Sequence, residues 1–206
     1  MVLHYMSIRE WAPTDWGYKH PAVNGSGLAY SDDGGRTWTR DGRAAWSGDT
    51  AFAQAAMAKH EGYVYMFGTP AGRFGAASLL RVPEEELLHP ERYAYWAGGG
   101  WSGDAASAAE VVPSPVGELS VRWSAYHGRW LMMYLNDVTH NIVLRTAPRP
   151  EGPWDEERVV VSAREYPTLY APFMLPGTDG PDVYFTMSVF NVYNVFTMRV
   201  RLDADN

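Results

Sequence analysis

There is no cysteine in the sequence. That excludes disulfides, zinc–thiolate centres and cysteine nucleophiles, and it leaves the redox compartment open. Positive charge is also scarce: 17 Lys and Arg stand against 24 Asp and Glu, a net charge of −7. A nucleic-acid partner is therefore not expected, because such binding needs basic side chains to replace the counterions on phosphates. No apolar run approaches the roughly 20 residues of a bilayer-spanning helix. No Lys/Arg cluster marks a membrane surface, and MVLHYMSIREW lacks the basic-then-apolar pattern of a signal peptide. The six His have no metal-ligand spacing. There is neither a phosphate-binding Gly loop leading into a helix nor a G-x-S-x-G elbow, so no metal or other cofactor is expected.

Aromatic and turn-forming residues are abundant. Nine Trp and 13 Tyr accompany 20 Gly and 14 Pro, and helix-like stretches are few. This composition points to an all-β protein. A unit recurs along the chain: an apolar strand, a turn, and a second strand ending in Arg. It runs from Gly62 to Val82, from Gly128 to Thr146 and from Pro181 to Val200, aligning Arg81, Arg145 and Arg199. Residues Met1 to Ser31 form a divergent further copy with an insertion. A short strand precedes each clear copy (AFAQAAMAKH, ELSVRWSAYH, LYAPFML), and RVVVS offers a fourth strand. YVYMFG, WLMMYL and VYFTM are apolar on both faces, as befits sheets sandwiched between neighbours. The expected fold is a β-propeller of four-stranded antiparallel blades, with about three and a half to four blades in a single domain over residues 1–206. The first copy lacks its inner strand. N-terminal truncation is the expectation, and self-association through the open blade edge is the alternative.

Ser31 to Trp38 reads S-x-D-x-G-x-T-W, an Asp-box. In this turn the Asp33 carboxylate accepts backbone N–H bonds and Gly35 supplies the unusual dihedral angle. Its role is structural.

MSIREW, the Asp-box, GYVYMFGTPAGRFGAASLLRV, YAYWAGGGW, PVGELSVRW, GRWLMMYLN, IVLRTAPRPEGPW and YAPFM together resemble, in order and over nearly the whole chain, domain-of-unknown-function family 4185. The resemblance implies a five-bladed propeller from a bacterial group common in actinobacteria. Its members are similar to endo-D-arabinanases, glycoside hydrolases that cut the D-arabinan of mycobacterial arabinogalactan and lipoarabinomannan. It also implies an extracellular or cell-envelope setting, which nothing in this chain encodes. Family domains are longer at the N-terminus, where an acidic catalytic residue is expected.

Glycoside hydrolysis uses two carboxyl groups around an oxocarbenium-like transition state. In a propeller such groups sit near the axis, on inner strands and their loops. Glu118 opens an inner strand and is the first candidate; bracing a neighbouring strand is its other role. Asp137, in the turn LNDVTHN, is the second candidate acid or base, with His140 as a possible proton shuttle or substrate contact. An ordinary solvated turn is the competing account. Arg73, in a Gly-rich hairpin, is read as a sugar or carboxylate ligand, or as a paired structural cation. Gln54 and Tyr170 open the other two inner strands and would line the funnel or pair with backbone. Trp11, Asp15, Trp16 and Asn24 lie in the long aromatic insertion, read as an ordered loop, where Trp16 and Asn24 are candidates for sugar contact and covering a blade edge is the other role of the tryptophans. The repeated Arg81, Arg145 and Arg199 are assigned to the scaffold. The expected partner is a polysaccharide or oligosaccharide, with non-catalytic carbohydrate binding or an inactive fragment as alternatives.

Overall fold

In the computed structural model, which describes residues 1–13 and 19–202, antiparallel strands build a propeller-like stack of sheets. The first sheet contains β1 (Val2–Pro13), β2 (Lys19–Tyr30) and β3 (Thr39–Ser47). The second runs β4 (Gln54–His60), β5 (Tyr63–Thr69), β6 (Ala77–Pro83), β7 (Ala94–Trp96) and β8 (Trp101–Ser102), with β9 (Glu110–Val112) also paired to β6. The third is β10 (Gly117–Ser124), β11 (Arg129–Asn136), β12 (Asn141–Ala147) and β13 (Arg158–Val161). The fourth is β14 (Leu169–Met174), β15 (Asp182–Val189) and β16 (Asn194–Arg201). We call these sheets blades I to IV. Among the described residues the helical elements are short 3₁₀ turns, such as Glu84–Glu86 behind Pro83.

Successive side chains of a strand point to opposite faces, and the central strands use both. In β11, Trp130, Met132 and Tyr134 pack with Tyr65, Phe67 and Leu79 of blade II. The alternate residues Leu131, Met133 and Leu135 pack with Phe185 and Met187 of blade IV. In β5, Val64 and Met66 turn the other way, towards Leu28 and Trp46 of blade I. Each such side chain, once fully buried, contributes about 1.5–3 kcal/mol. Gly68 of β5 is required by close approach: a Cβ there would lie 2.2 Å from the Phe52 ring.

Two expectations need correction. The β15 run VYFTM is not apolar on both faces. Val183, Phe185 and Met187 are buried while Tyr184 is exposed, because no sheet among the described residues stacks on that side. The described part of the insertion after MSIREW is strand rather than loop: β1 and β2 stay paired there, with Trp11 opposite Pro21.

The three repeated Arg residues each have a different partner. Arg145 Nε donates to Tyr134 Oη at 2.8 Å, the Arg81 guanidinium lies 4.1 Å from the Trp101 ring centre, and Arg199 pairs with Asp182 at 3.7 Å.

The Asp-box closes as its residues require. Asp33 Oδ1 accepts from the Arg36 and Thr37 N–H groups, both at 2.9 Å. Bonds from Thr37, backbone then side chain, lower the Asp33 pKa to about 2. On β3 the Arg43 side chain, bonded to the buried Asp41, does the same for that carboxyl, also to about 2. Both folded values lie below the unfolded range near 3.9. Their stabilisation is therefore complete above that range and is lost as pH falls through about 2. Urea midpoints measured from about pH 5 down to about pH 2 should fall steadily. The fall should be shallower in an Asp33→Asn/Asp41→Asn double variant; an equally steep fall would assign acid lability to other carboxylates.

Candidate functional site

The inner strands β4, β10 and β14 open at one end of the stack, and the loops around those openings converge. β10 starts with a register shift between Gly117 and Ser120, and β14 has one between Tyr170 and Phe173. Bulges of this kind re-aim side chains beside functional sites. Here they place two non-glycine residues in the left-handed region, Glu118 at φ 44° and Ala171 at φ 50°. Thr168 at φ 63° and His140 at φ 56° adopt the same conformation nearby. Each costs about 1–3 kcal/mol and persists only where its surroundings hold it.

The surroundings here form a chain of polar contacts through three blades. Arg73, in the loop between β5 and β6, donates from Nε to Glu118 Oε1 at 2.8 Å, and its Nη2 lies 2.5 Å from the same oxygen. Glu118 Oε2 accepts the N–H of Ala171 in blade IV at 3.1 Å. On its other side Arg73 Nη1 is 3.9 Å from Asp137 Oδ1. That oxygen is in turn 3.5 Å from His140 Nδ1. The guanidinium also stands 5.8 Å from the centre of the Tyr170 ring. One cation thus sits between two carboxylates. Glu118 has both oxygens occupied as acceptors, whereas Asp137 has only the longer ion-pair contacts among the described ones.

Above this chain opens a cavity of about 900 Å³. Arg73, Asp137, His140 and Tyr170 line it, together with the segment Pro167, Thr168 and Leu169 that leads into β14. Trp11 from the β1–β2 hairpin and Phe190 from the turn after β15 add exposed aromatic walls. Asp137 is 12% exposed and His140 71%, so the imidazole reaches solvent while the carboxylate is recessed. Such a surface offers ring faces for the C–H side of a ligand and a cation, an anion and an imidazole for its polar side.

The structure therefore brings together Arg73, Glu118, Asp137, His140 and Tyr170, all predicted site residues. Two other candidates lie elsewhere. Asn24 is exposed on β2, where its Nδ2 donates to Ser7 Oγ at 3.2 Å, and it does not line the cavity. Gln54 stands behind the Arg73 loop, donating from Nε2 to Pro70 O at 3.0 Å and Gly72 O at 2.6 Å. Trp16, with Asp15, lies outside the described residues. Sequence reasoning missed Thr168, Phe190 and the Ala171 N–H. The first two carry no motif, and a backbone donor has no side-chain signature at all. No group of three or more His, Cys, Asp or Glu among the described residues is placed to hold a metal ion.

The family described as Domain of unknown function (DUF4185) matches residues 1–199. Notoamide biosynthesis cluster protein J of Aspergillus sp. (strain MF297-2) is 32% identical over 91% of this chain and 51% of its own length. Protein J′ of Aspergillus versicolor is 33% identical over 87% of this chain and 49% of its own. The chain thus spans about half the length of these relatives. Among solved structures, a putative hydrolase from Bacteroides ovatus superposes with a TM-score of 0.64 at 13% identity, covering 96% of this chain and 61% of that one. An exo-β-1,3-galactanase from Phanerochaete chrysosporium, solved with β-1,3-galactotriose, superposes with a TM-score of 0.54 at 10% identity, covering 91% of this chain and 42% of that one. At such identities the likeness is one of fold.

Proposed function

Because this chain belongs to the family described as Domain of unknown function (DUF4185), we propose that it is a glycoside-hydrolase-like propeller acting on a polysaccharide, with D-arabinan of the mycobacterial type as its substrate. The observation that carries this reading is the cavity in which Arg73, the Asp137–His140 pair and the Tyr170 ring converge from three blades. Support also comes from the resemblance of its motifs to the endo-D-arabinanase group and from the galactotriose-bound galactanase that shares the fold.

In this reading Tyr170 and Trp11 present flat faces to sugar rings. Arg73 donates to hydroxyl or ring oxygens. Asp137 exchanges a proton with the glycosidic oxygen or a water, and His140, beside it and open to solvent, relays that proton. Glu118, with both oxygens engaged, holds Arg73 in place rather than attacking the sugar.

That last point also favours a second reading, binding without cleavage. Hydrolysis of this type needs two carboxyl groups flanking the scissile bond, and among the described residues Asp137 is the carboxylate that lines the cavity. Incubating the folded protein with purified arabinogalactan and separating the products by chromatography decides between them. Released arabinan fragments support hydrolysis. Retention of the polymer on immobilised protein without release supports binding alone. Neither release nor retention would overturn both readings.

A further inference from the structure

The loop that carries Arg73 is tied down on every side. Pro70 O and Gly72 O accept the Gln54 amide, at 3.0 and 2.6 Å. Gly75 O accepts the Val116 N–H of blade III at 2.8 Å. A Cβ on Gly75 would fall 2.4 Å from Pro70 Cδ, so the two ends of the loop touch. A Cβ on Gly117 would come within 3.2 Å of Arg73 Cβ and Cγ, so the blade III backbone lies against the stem of the side chain. Of these ties, the Gln54 amide is the one made by a side chain. Its nitrogen has two protons, and two carbonyl oxygens of this one loop lie within reach of them.

We propose that Gln54 is a positioning residue for Arg73. It sets where the guanidinium stands in the cavity without itself contacting the ligand. The part concerning ligand affinity rests on the reading above, in which Arg73 contacts a saccharide; the part concerning the loop does not. The mechanism is mechanical. Pro70 and Gly72 bracket the turn that leads into Arg73, and half-buried carbonyls that lose a donor seek another, by tilting towards water. A tilt at Gly72 moves the Arg73 Cα directly. The Arg73 Nε–Glu118 bond, 2.8 Å long here, must then stretch or break. Glutamate at position 54 is the sharpest probe, because it keeps the shape and replaces both N–H donors with an acceptor facing two carbonyl oxygens. Methionine is the milder one, since it keeps the length and removes the donors without adding charge.

The test follows the Arg73 Nε–H group by ¹⁵N NMR, its resonance assigned by its disappearance in Arg73→Lys. In the wild type this proton should exchange slowly with water. In Gln54→Glu and Gln54→Met the exchange should quicken at least about tenfold, the loss expected of one charge-assisted hydrogen bond. Affinity for a D-arabinan oligosaccharide, measured by titration calorimetry, should fall about 10- to 100-fold. If Gln54→Glu does not fold, Gln54→Met decides. Unchanged Arg73 exchange overturns the proposal whatever happens to affinity; weakened binding in that case would mean that Gln54 touches the ligand directly. Quickened exchange in the variants, with no oligosaccharide binding even by the wild type, would uphold the positioning role and refute the saccharide reading.

Discussion

Replacing Trp130 by alanine is expected to destabilise the fold by about 4 kcal/mol, much of the 5–15 kcal/mol typical of a whole domain. Trp130 is 1% exposed and stands on β11 where blades II and III meet. Its ring centre lies 5.1 Å from that of Tyr65 and 5.9 Å from that of Phe67, both in blade II. It lies 6.0 Å from that of Trp123 in its own blade and 5.4 Å from the His60 ring. These edge-on and tilted contacts add to the area the side chain buries. Alanine would remove the ring from all four neighbours at once. The neighbours belong to two different sheets, so their collapse into the void is limited by both backbones. Urea denaturation followed by far-ultraviolet circular dichroism should show the midpoint drop. Trp130→Phe should recover about half of it. A loss under about 1 kcal/mol for the alanine variant would mean that the two blades close without this ring.

Asp137→Asn carries the largest functional expectation. Loss of a general acid or base lowers turnover by about 10²–10⁴-fold, and the effect should fall on the rate with little change in affinity for arabinan oligosaccharides. The substitution is a fair test because the turn does not depend on Asp137. Asn136 builds it: its Oδ1 accepts from the Val138 and Thr139 N–H groups, both at 3.1 Å, while its Nδ2 donates to Glu157. The melting temperature should therefore stay close to wild type. His140→Ala should cost less, since that ring is largely in solvent and water can take over a relay. A wild-type rate in Asp137→Asn, measured on a substrate that the parent protein cleaves, would remove Asp137 from the mechanism.

The architecture was legible in the sequence wherever a strand met two neighbours. YVYMFG and WLMMYL are apolar at every position because odd and even residues serve different interfaces, and the β5 and β11 burial patterns follow suit. VYFTM misled because its Tyr184 and Thr186 alternate with buried neighbours in a blade covered on one side. The converging site was legible through the repeat. Glu118 and Tyr170 open matching inner strands, while Arg73 and Asp137 occupy matching hairpins, so blade symmetry alone brings them to one end. What the repeat does not encode is hydrogen-bond commitment. Gln54, Glu118 and Tyr170 occupy equivalent places, yet Gln54 turns back to its own loop, Glu118 spans two other blades, and Tyr170 faces the cavity. Those differences arise from the local backbone, including the left-handed Glu118 and Ala171.

The two-sided use of β11 has a consequence for how such a chain can change. Trp130, Met132 and Tyr134 belong to one seam and Leu131, Met133 and Leu135 to the other. Removing a single residue from the strand would exchange the two sets, presenting the large rings to the seam built for Leu and Met and the reverse. Both seams would fail together, although no side chain had changed its chemistry. Point substitutions are graded here, but a change of length is all-or-none. Insertions and deletions should therefore gather in the connections between strands, where the site residues Arg73, Asp137 and His140 also lie. The segments freest to vary in length are the ones that shape the cavity, so ligand preference can drift between relatives while the stack of sheets stays the same.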